Sequence, residues 1–161
     1  MGKLIINSYS DFEQYVGREL GISDYFMITQ AQINKFAEAT LDYQWIHFDV
    51  ERAKQESPFG TTIAHGYLYL SLLPYLWKQI VEVNNVKMFV NYGIDRLKFS
   101  QPVLVDSEVR VRANLKSLND LKGVTKAEIN VVLEIRGQNR PALKGTLIFL
   151  YHFYNGAGNH V

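Results

Sequence analysis

Cysteine is absent from the 161 residues of this chain. That excludes disulfides, thiolate metal sites and a cysteine nucleophile. An excess of one charge is missing too: 17 basic side chains meet 16 acidic ones, for a formal net charge of +1. A near-neutral chain carries no electrostatic footprint for DNA or RNA, so no nucleic-acid partner is expected, although a local basic patch can still receive a phosphate-bearing ligand. No apolar run reaches the roughly 18 residues of a membrane-spanning helix, and no membrane partner is expected. Met1 to Asp11 lacks the long apolar core of a secretory signal, which makes the cytoplasm the expected location. Proline is scarce, at four residues, and neither proline nor glycine gathers into an interior linker. Repeats and low-complexity tracts are also missing.

Hydrophobic residues make up 47% of the chain, enough for one substantial core. One domain over 1–161 is expected. Asn155 to Val161, with two glycines and two asparagines, reads as a flexible tail.

Ser10 to Leu20 reads as a short helix ended by Gly21, and Tyr25 to Ile28 as a brief strand. Thr29 and Gln32 have the spacing of a capping box. Ile33, Phe36, Ala37 and Leu41 then recur at helical spacing, which predicts a helix to about Thr40. Leu41 to Thr62 shows no clean period and reads as an ordered loop, with one short helix near Val50 to Gln55. A loop of that length in a compact domain is often functional. Gly66 to Val81 is apolar nearly all round, as in a helix buried on most sides, and Pro74 should bend or interrupt it.

The second half changes period. Lys87 to Phe99 reads as a strand bulged near Gly93. Val109, Val111, Ala113 and Leu115 alternate with polar residues, as do Ala127, Ile129, Val131, Leu133 and Ile135. Turns are expected at Asn119-Asp120 and at Gly137 to Asn139. Leu143 to Tyr154 is apolar on both faces, as in a central or interface strand. Segregated helices and antiparallel strands predict an α+β fold.

Three segments can carry chemistry. In Asp42-Tyr-Gln-Trp-Ile-His47, the five-residue separation brings the two polar side chains together on neither a helix nor a strand, but a bent loop allows it. A carboxylate and an imidazole sharing one water can activate it. Equally, Asp42 can cap a turn and His47 can simply pack. In Gly60-Thr-Thr-Ile-Ala-His65-Gly66, the glycine stands at a helix start. Free amides there polarise a carbonyl, or the glycine serves close packing alone. His65 suits either ligand contact or a hydrogen-bonded core position. Ser71 can bond into the active loop or back to its own helix. Tyr92 and Arg96, in Asn91-Tyr-Gly-Ile-Asp-Arg96, can touch a ligand or pack and pair. Asp42, His47 and His65 qualify as metal ligands by type, but their spacing matches no metal signature.

These motifs together resemble a known family. Asp42-x-x-Trp45-Ile46-His47 followed by Gly60-Thr61-x-Ile63-Ala64-His65-Gly66 is similar to the signature of MaoC-like dehydratases and R-specific enoyl-CoA hydratases. Gln44 to His47, Ser71-Leu-Leu-Pro74 and Asn91 to Arg96 are closer still to the nodulation protein N-like branch. The motif resemblance spans Ile28 to Val105. It implies a hot-dog fold, an antiparallel sheet wrapped around a central buried helix, paired into a homodimer. It also implies a trans-2-enoyl thioester of coenzyme A or an acyl carrier as substrate. Asp42 and His47 would hold the water that adds across the double bond, and the Gly66 amide would meet the thioester oxygen. His65, Ser71 and Tyr92 would complete the substrate site. No metal or organic cofactor is implied, coenzyme A being part of the substrate. A hot-dog thioesterase with Asp42 as base, and a non-catalytic acyl-thioester-binding protein, are the competing expectations. The chain departs from the hydratases at Gln44-Trp45, where they carry Asn-Pro, and at Pro74, where they often carry a polar residue. Trp45 is therefore expected to narrow the acyl pocket or to reshape the loop.

Overall fold

The computed structural model describes residues 2–154; the tail expected over Asn155 to Val161 lies outside them. Fourteen elements follow in order: β1 (Leu4–Ile6), α1 (Tyr9–Glu13), β2 (Glu19–Ile22), β3 (Phe26–Met27), α2 (Gln30–Thr40), α3 (Trp45–Phe48), α4 (Val50–Glu56), α5 (Gly66–Ser71), α6 (Leu73–Ile80), β4 (Val81–Val83), β5 (Val86–Phe99), β6 (Glu108–Asp120), β7 (Thr125–Ile135) and β8 (Leu143–Phe153).

The main sheet is antiparallel, in the order β2-β6-β7-β8-β5, with β3 also paired to β6. Period-two alternation holds where expected. Val109, Val111, Ala113 and Leu115 of β6 are buried, as are Ala127, Ile129, Leu133 and Ile135 of β7. This inner face wraps α5 and α6, whose Leu68, Leu73, Leu76, Trp77 and Ile80 join the same core. Trp77 Nε1 donates to the Tyr151 hydroxyl at 3.0 Å, so the buried indole is satisfied. At the other flank, a Cβ on Gly21 would meet Ile80 Cγ2 at 2.9 Å, so only glycine lets β2 pass so close to the helix. The result is the α+β hot-dog arrangement. A small parallel pair, β1 with β4, closes one end.

Several local expectations change. The helix read over Ser10 to Leu20 stops at Glu13, because Gly17 takes φ +79° and the chain turns to pair with β6 through Gly17 and Arg18. Thr29 does cap α2, accepting from the Gln32 amide, but the buried Gln32 Oε1 has no partner among the described residues, so the reciprocal half of the box is not made. The loop after α2 contains a second short helix, α3, beside the expected one. The central helix is two helices: Pro74 sits in the first turn of α6, where its missing amide costs nothing, and the break falls at Leu72. The turn expected at Asn119-Asp120 comes later, over 121–124, where Gly123 takes φ +94° and donates to Asp120 Oδ1. The bulge near Gly93 is present, as a register shift between Asn91 and Gly93.

Candidate active site

The helix α2 ends at Leu41, which takes φ +60°, and this left-handed residue throws the chain sideways into Asp42. Asp42 stays half exposed, its side chain at 52%, and its Oδ1 accepts from the Gln44 amide at 3.4 Å. The turn it caps delivers the chain into α3, whose third residue is His47. His47 is 8% exposed and His65 is 2% exposed. His65 is the N-cap of α5 and approaches from the opposite side.

The two motifs meet here. His47 Nδ1 lies 2.8 Å from the Ile63 carbonyl, and a carbonyl only accepts, so Nδ1 carries the proton and Nε2 keeps the lone pair. His65 Nε2 lies 3.1 Å from the Asp42 carbonyl and carries its proton by the same argument. It stands 4.0 Å from Asp42 Oδ2. The two imidazoles stack, and Phe36 packs on His65 with ring centroids 5.0 Å apart. Burial is the main cause that pushes the His47 pKa below its ordinary 6.5. The Ile63 hydrogen bond opposes that shift, His65 adds to it, and Asp42 opposes it.

A cleft of about 410 Å³ opens beside His47, lined also by Ile63, Gly66, Tyr69, Phe99 and Gln101. Gly66 is the first residue of α5, so its amide has no intrahelical acceptor. A Cβ at this position would meet the Phe99 ring at 3.1 Å. Close packing and an open amide thus both call for glycine here. Burial pushes the Tyr69 phenol up to about 12, so it remains a protonated donor at neutral pH.

Not every residue read from the sequence reaches this cleft. Ser71 Oγ donates back to the Tyr67 carbonyl at 2.7 Å and lines a separate groove with Asn91, Gly93 and Ile94. Tyr92 is 63% exposed on β5. Arg96 projects into solvent beside Asp95, 3.9 Å away. Trp45 does not line the His47 cleft; it opens α3 and carries the Arg52 guanidinium 4.4 Å above its ring, so its bulk shapes the loop. Ligand atoms of Asp42, His47 and His65 lie within 4.8 Å of one another.

The structure adds residues that the sequence reading did not single out. Phe99 covers Gly66 from the end of a strand 33 positions later in the chain. Gln30 and Thr62 hydrogen-bond behind His47. Thr62 lies inside the second motif, which was a usable signal; Gln30 and Phe99 carried none.

Comparison with known proteins bears on the fold and the family. Residues 11–135 match the MaoC like domain. The chain is 43% identical over 145 residues to 3-hydroxyacyl-thioester dehydratase Z of Mycobacterium tuberculosis, covering 89% of this chain and 95% of that protein. It is 41% identical over 148 residues to nodulation protein N of Rhizobium meliloti, covering 91% and 92%. Among solved structures, an unliganded R-hydratase from Pseudomonas aeruginosa superposes with a TM-score of 0.69 at 19% identity, over 89% of this chain and 84% of that one. The matched span runs from α1 to the end of β7 and so takes in both histidine segments of this chain. The chain therefore belongs to the MaoC-like dehydratase family.

Proposed function

We propose that the protein is an enoyl-thioester hydratase/dehydratase, with Asp42 and His47 as its catalytic pair. The observation that carries this reading is the His47 tautomer. The Ile63 carbonyl holds the Nδ1 proton, which leaves Nε2 as a free base on a ring that lines the cleft. Relatives named for thioester dehydration and a solved R-hydratase support the reaction class.

The chemistry then runs as follows. A water held between Asp42 and His47 loses a proton to the pair as its oxygen bonds to C3 of a trans-2-enoyl thioester. The π electrons move onto the thioester oxygen, where the Gly66 amide donates to the developing enolate. The pair returns a proton to C2, and the carbonyl reforms. Dehydration reverses each step. The two groups share the proton as a unit, so acid and base belong to the pair. Tyr69 lies close enough to line the same cleft with a protonated hydroxyl. The chain uses only its own residues in this sequence of steps.

Two copies would form the working unit. β5 is a 14-residue edge strand with one side unpaired among the described residues, and Met88, Tyr92 and Ile94 on it are exposed. A long apolar edge of that kind invites a second strand.

The test is loss of enoyl absorbance with trans-2-enoyl-CoA of graded chain length. Asp42→Asn and His47→Ala should each lower turnover by roughly 10²-fold or more, the scale of general acid–base assistance, with the circular dichroism spectrum unchanged. Near wild-type rate in either variant would remove the proposed pair.

A further inference from the structure

Gln30 is the first residue of α2, a position where a side chain is ordinarily solvated. Here the carboxamide turns inward. Its Nε2 donates to the His47 carbonyl at 2.8 Å and to Asn34 Oδ1 at 2.8 Å, and its Oε1 accepts from Thr62 Oγ1. The direction of the amide is forced, because the His47 carbonyl only accepts and must therefore face the nitrogen.

Thr62 is fully buried, and its own carbonyl accepts from the Val105 amide at 3.1 Å, which anchors it ahead of β6. The next residue, Ile63, supplies the carbonyl that holds the His47 ring proton, and its amide donates to Ile46 at 3.1 Å. One side chain is thus bonded to the His47 backbone and to the hydroxyl of the residue that precedes Ile63. The bonds close a ring: His47 carbonyl, Gln30, Thr62, Ile63, His47 ring.

We infer that Gln30 and Thr62 form a clamp that holds the His47 ring in one orientation, which makes Gln30 a positioning residue for the reaction proposed above and rests on that reading of His47. All three hydrogen bonds of the Gln30 carboxamide go to protein groups, so it acts through the His47 and Thr62 segments rather than on substrate. A catalytic side chain has to be held to within about 0.5 Å, and a displacement of roughly 1 Å can cost about 10²-fold in rate. An apolar residue at position 30 would leave the His47 carbonyl and the Thr62 hydroxyl unpaired, and the loop would shift to find water.

Three variants separate the clamp from packing. Gln30→Met keeps length without polarity. Gln30→Glu keeps the acceptor for Thr62 but sets an oxygen against the His47 carbonyl. Thr62→Val keeps volume. Each should lower kcat about tenfold or more with KM nearly constant. The double variant Gln30→Met/Thr62→Val should be no worse than the worse single, because the two residues act as one device.

The deciding measurement does not use turnover. The chain has four histidines, and ¹⁵N-histidine spectra of the full-length protein report the tautomer of each. Wild-type His47, assigned by its loss in His47→Gln, should hold its proton on Nδ1. In Gln30→Met and Thr62→Val that signal should become a mixture of tautomers, with Asp42 and His65 still beside the ring. A loss of stability alone would lower Tm and leave the tautomer intact. Native tautomer in both folded variants would overturn the clamp. If those variants showed the mixture but the wild-type protein turned over no enoyl thioester, the clamp would stand and the hydratase reading would fall.

Discussion

The imidazoles of His47 and His65 stack with ring centroids 3.8 Å apart and planes inclined by 26°. His65 also donates to the Asp42 carbonyl at 3.1 Å, so this buried residue braces both members of the proposed pair. His65→Phe keeps a flat ring against His47 and removes the donor. Loss of that bond would free the turn that places Asp42, and a hydrogen bond of this kind is worth about 1 kcal/mol. Turnover should fall roughly five- to tenfold, in line with that energy, while the His47 environment changes little. Wild-type kcat/KM in His65→Phe would show that Asp42 is placed without it.

Activity should decline on the acid side only below the ordinary histidine range, because His47 needs its Nε2 lone pair and its pKa is lowered, chiefly by burial. The stability consequence has a definite sign. As pH falls past the ordinary 6.5, the unfolded chain takes up a proton at residue 47 before the native protein does. The stability that wild type draws from a neutral His47 is therefore full above neutrality and is lost as pH falls through the lowered native value. Urea midpoints of wild type and His47→Gln, compared across that window, should differ by a constant above pH 7 and converge below it. A difference that grew on acidification would show that the native pKa is raised instead.

Gly66 and Phe99 should behave as a coupled pair. The Cβ of Gly66→Ala would press on the Phe99 ring at 3.1 Å, and overpacking typically costs about 1–3 kcal/mol. Gly66→Ala should lower the thermal midpoint, and Phe99→Leu in the same chain should restore part of it. Gly66→Val should also block thioester binding, since its branches would stand over the amide in the cleft. Isothermal titration with an unreactive acyl-CoA checks this; undiminished affinity in folded Gly66→Val would remove the amide from the proposed oxyanion site.

Leu41 carries strain that glycine would relieve. It sits at φ +60° with 76% of its surface exposed, so its side chain contributes little burial to offset the left-handed backbone. That conformation costs a non-glycine residue about 1–2 kcal/mol, partly balanced by the greater freedom of glycine in the unfolded chain. Leu41→Gly should raise unfolding free energy by roughly 0.5–1 kcal/mol. A lower denaturant midpoint would mean that Leu41 makes contacts worth more than its strain.

The sites of agreement and disagreement with the sequence have a common physical basis. Strands β6 and β7 were legible because alternation is a local record of burial: each inward residue announces its face. Helix α2 was legible for the same reason, with Thr29 marking its start. The N-terminal helix was overextended because Gly17 and Arg18 are drawn into pairing with Leu115, a partner nearly a hundred positions away. The break followed from the missing amide of Pro74, and it falls two residues ahead of it, at Leu72, which puts the proline in the first turn of α6.

Asp42, His47, His65 and Gly66 could be singled out from the sequence because two linked short motifs resemble a family signature, while their spacing alone left capping and packing equally open. Sequence alone also determined what the site lacks: with no cysteine, no thiolate can serve there as nucleophile or metal ligand. Which histidine nitrogen is free, which ring is stacked on which, and why a side chain at Gly66 would press on Phe99 were decided only by tertiary structure. Those properties belong to contacts with Ile63, Asp42 and Phe99, and the folded backbone alone brings such distant groups within hydrogen-bonding or van der Waals reach. Ser71 and Tyr92 show the converse, since a plausible residue type in a suggestive motif still faces whichever way its helix or strand turns it.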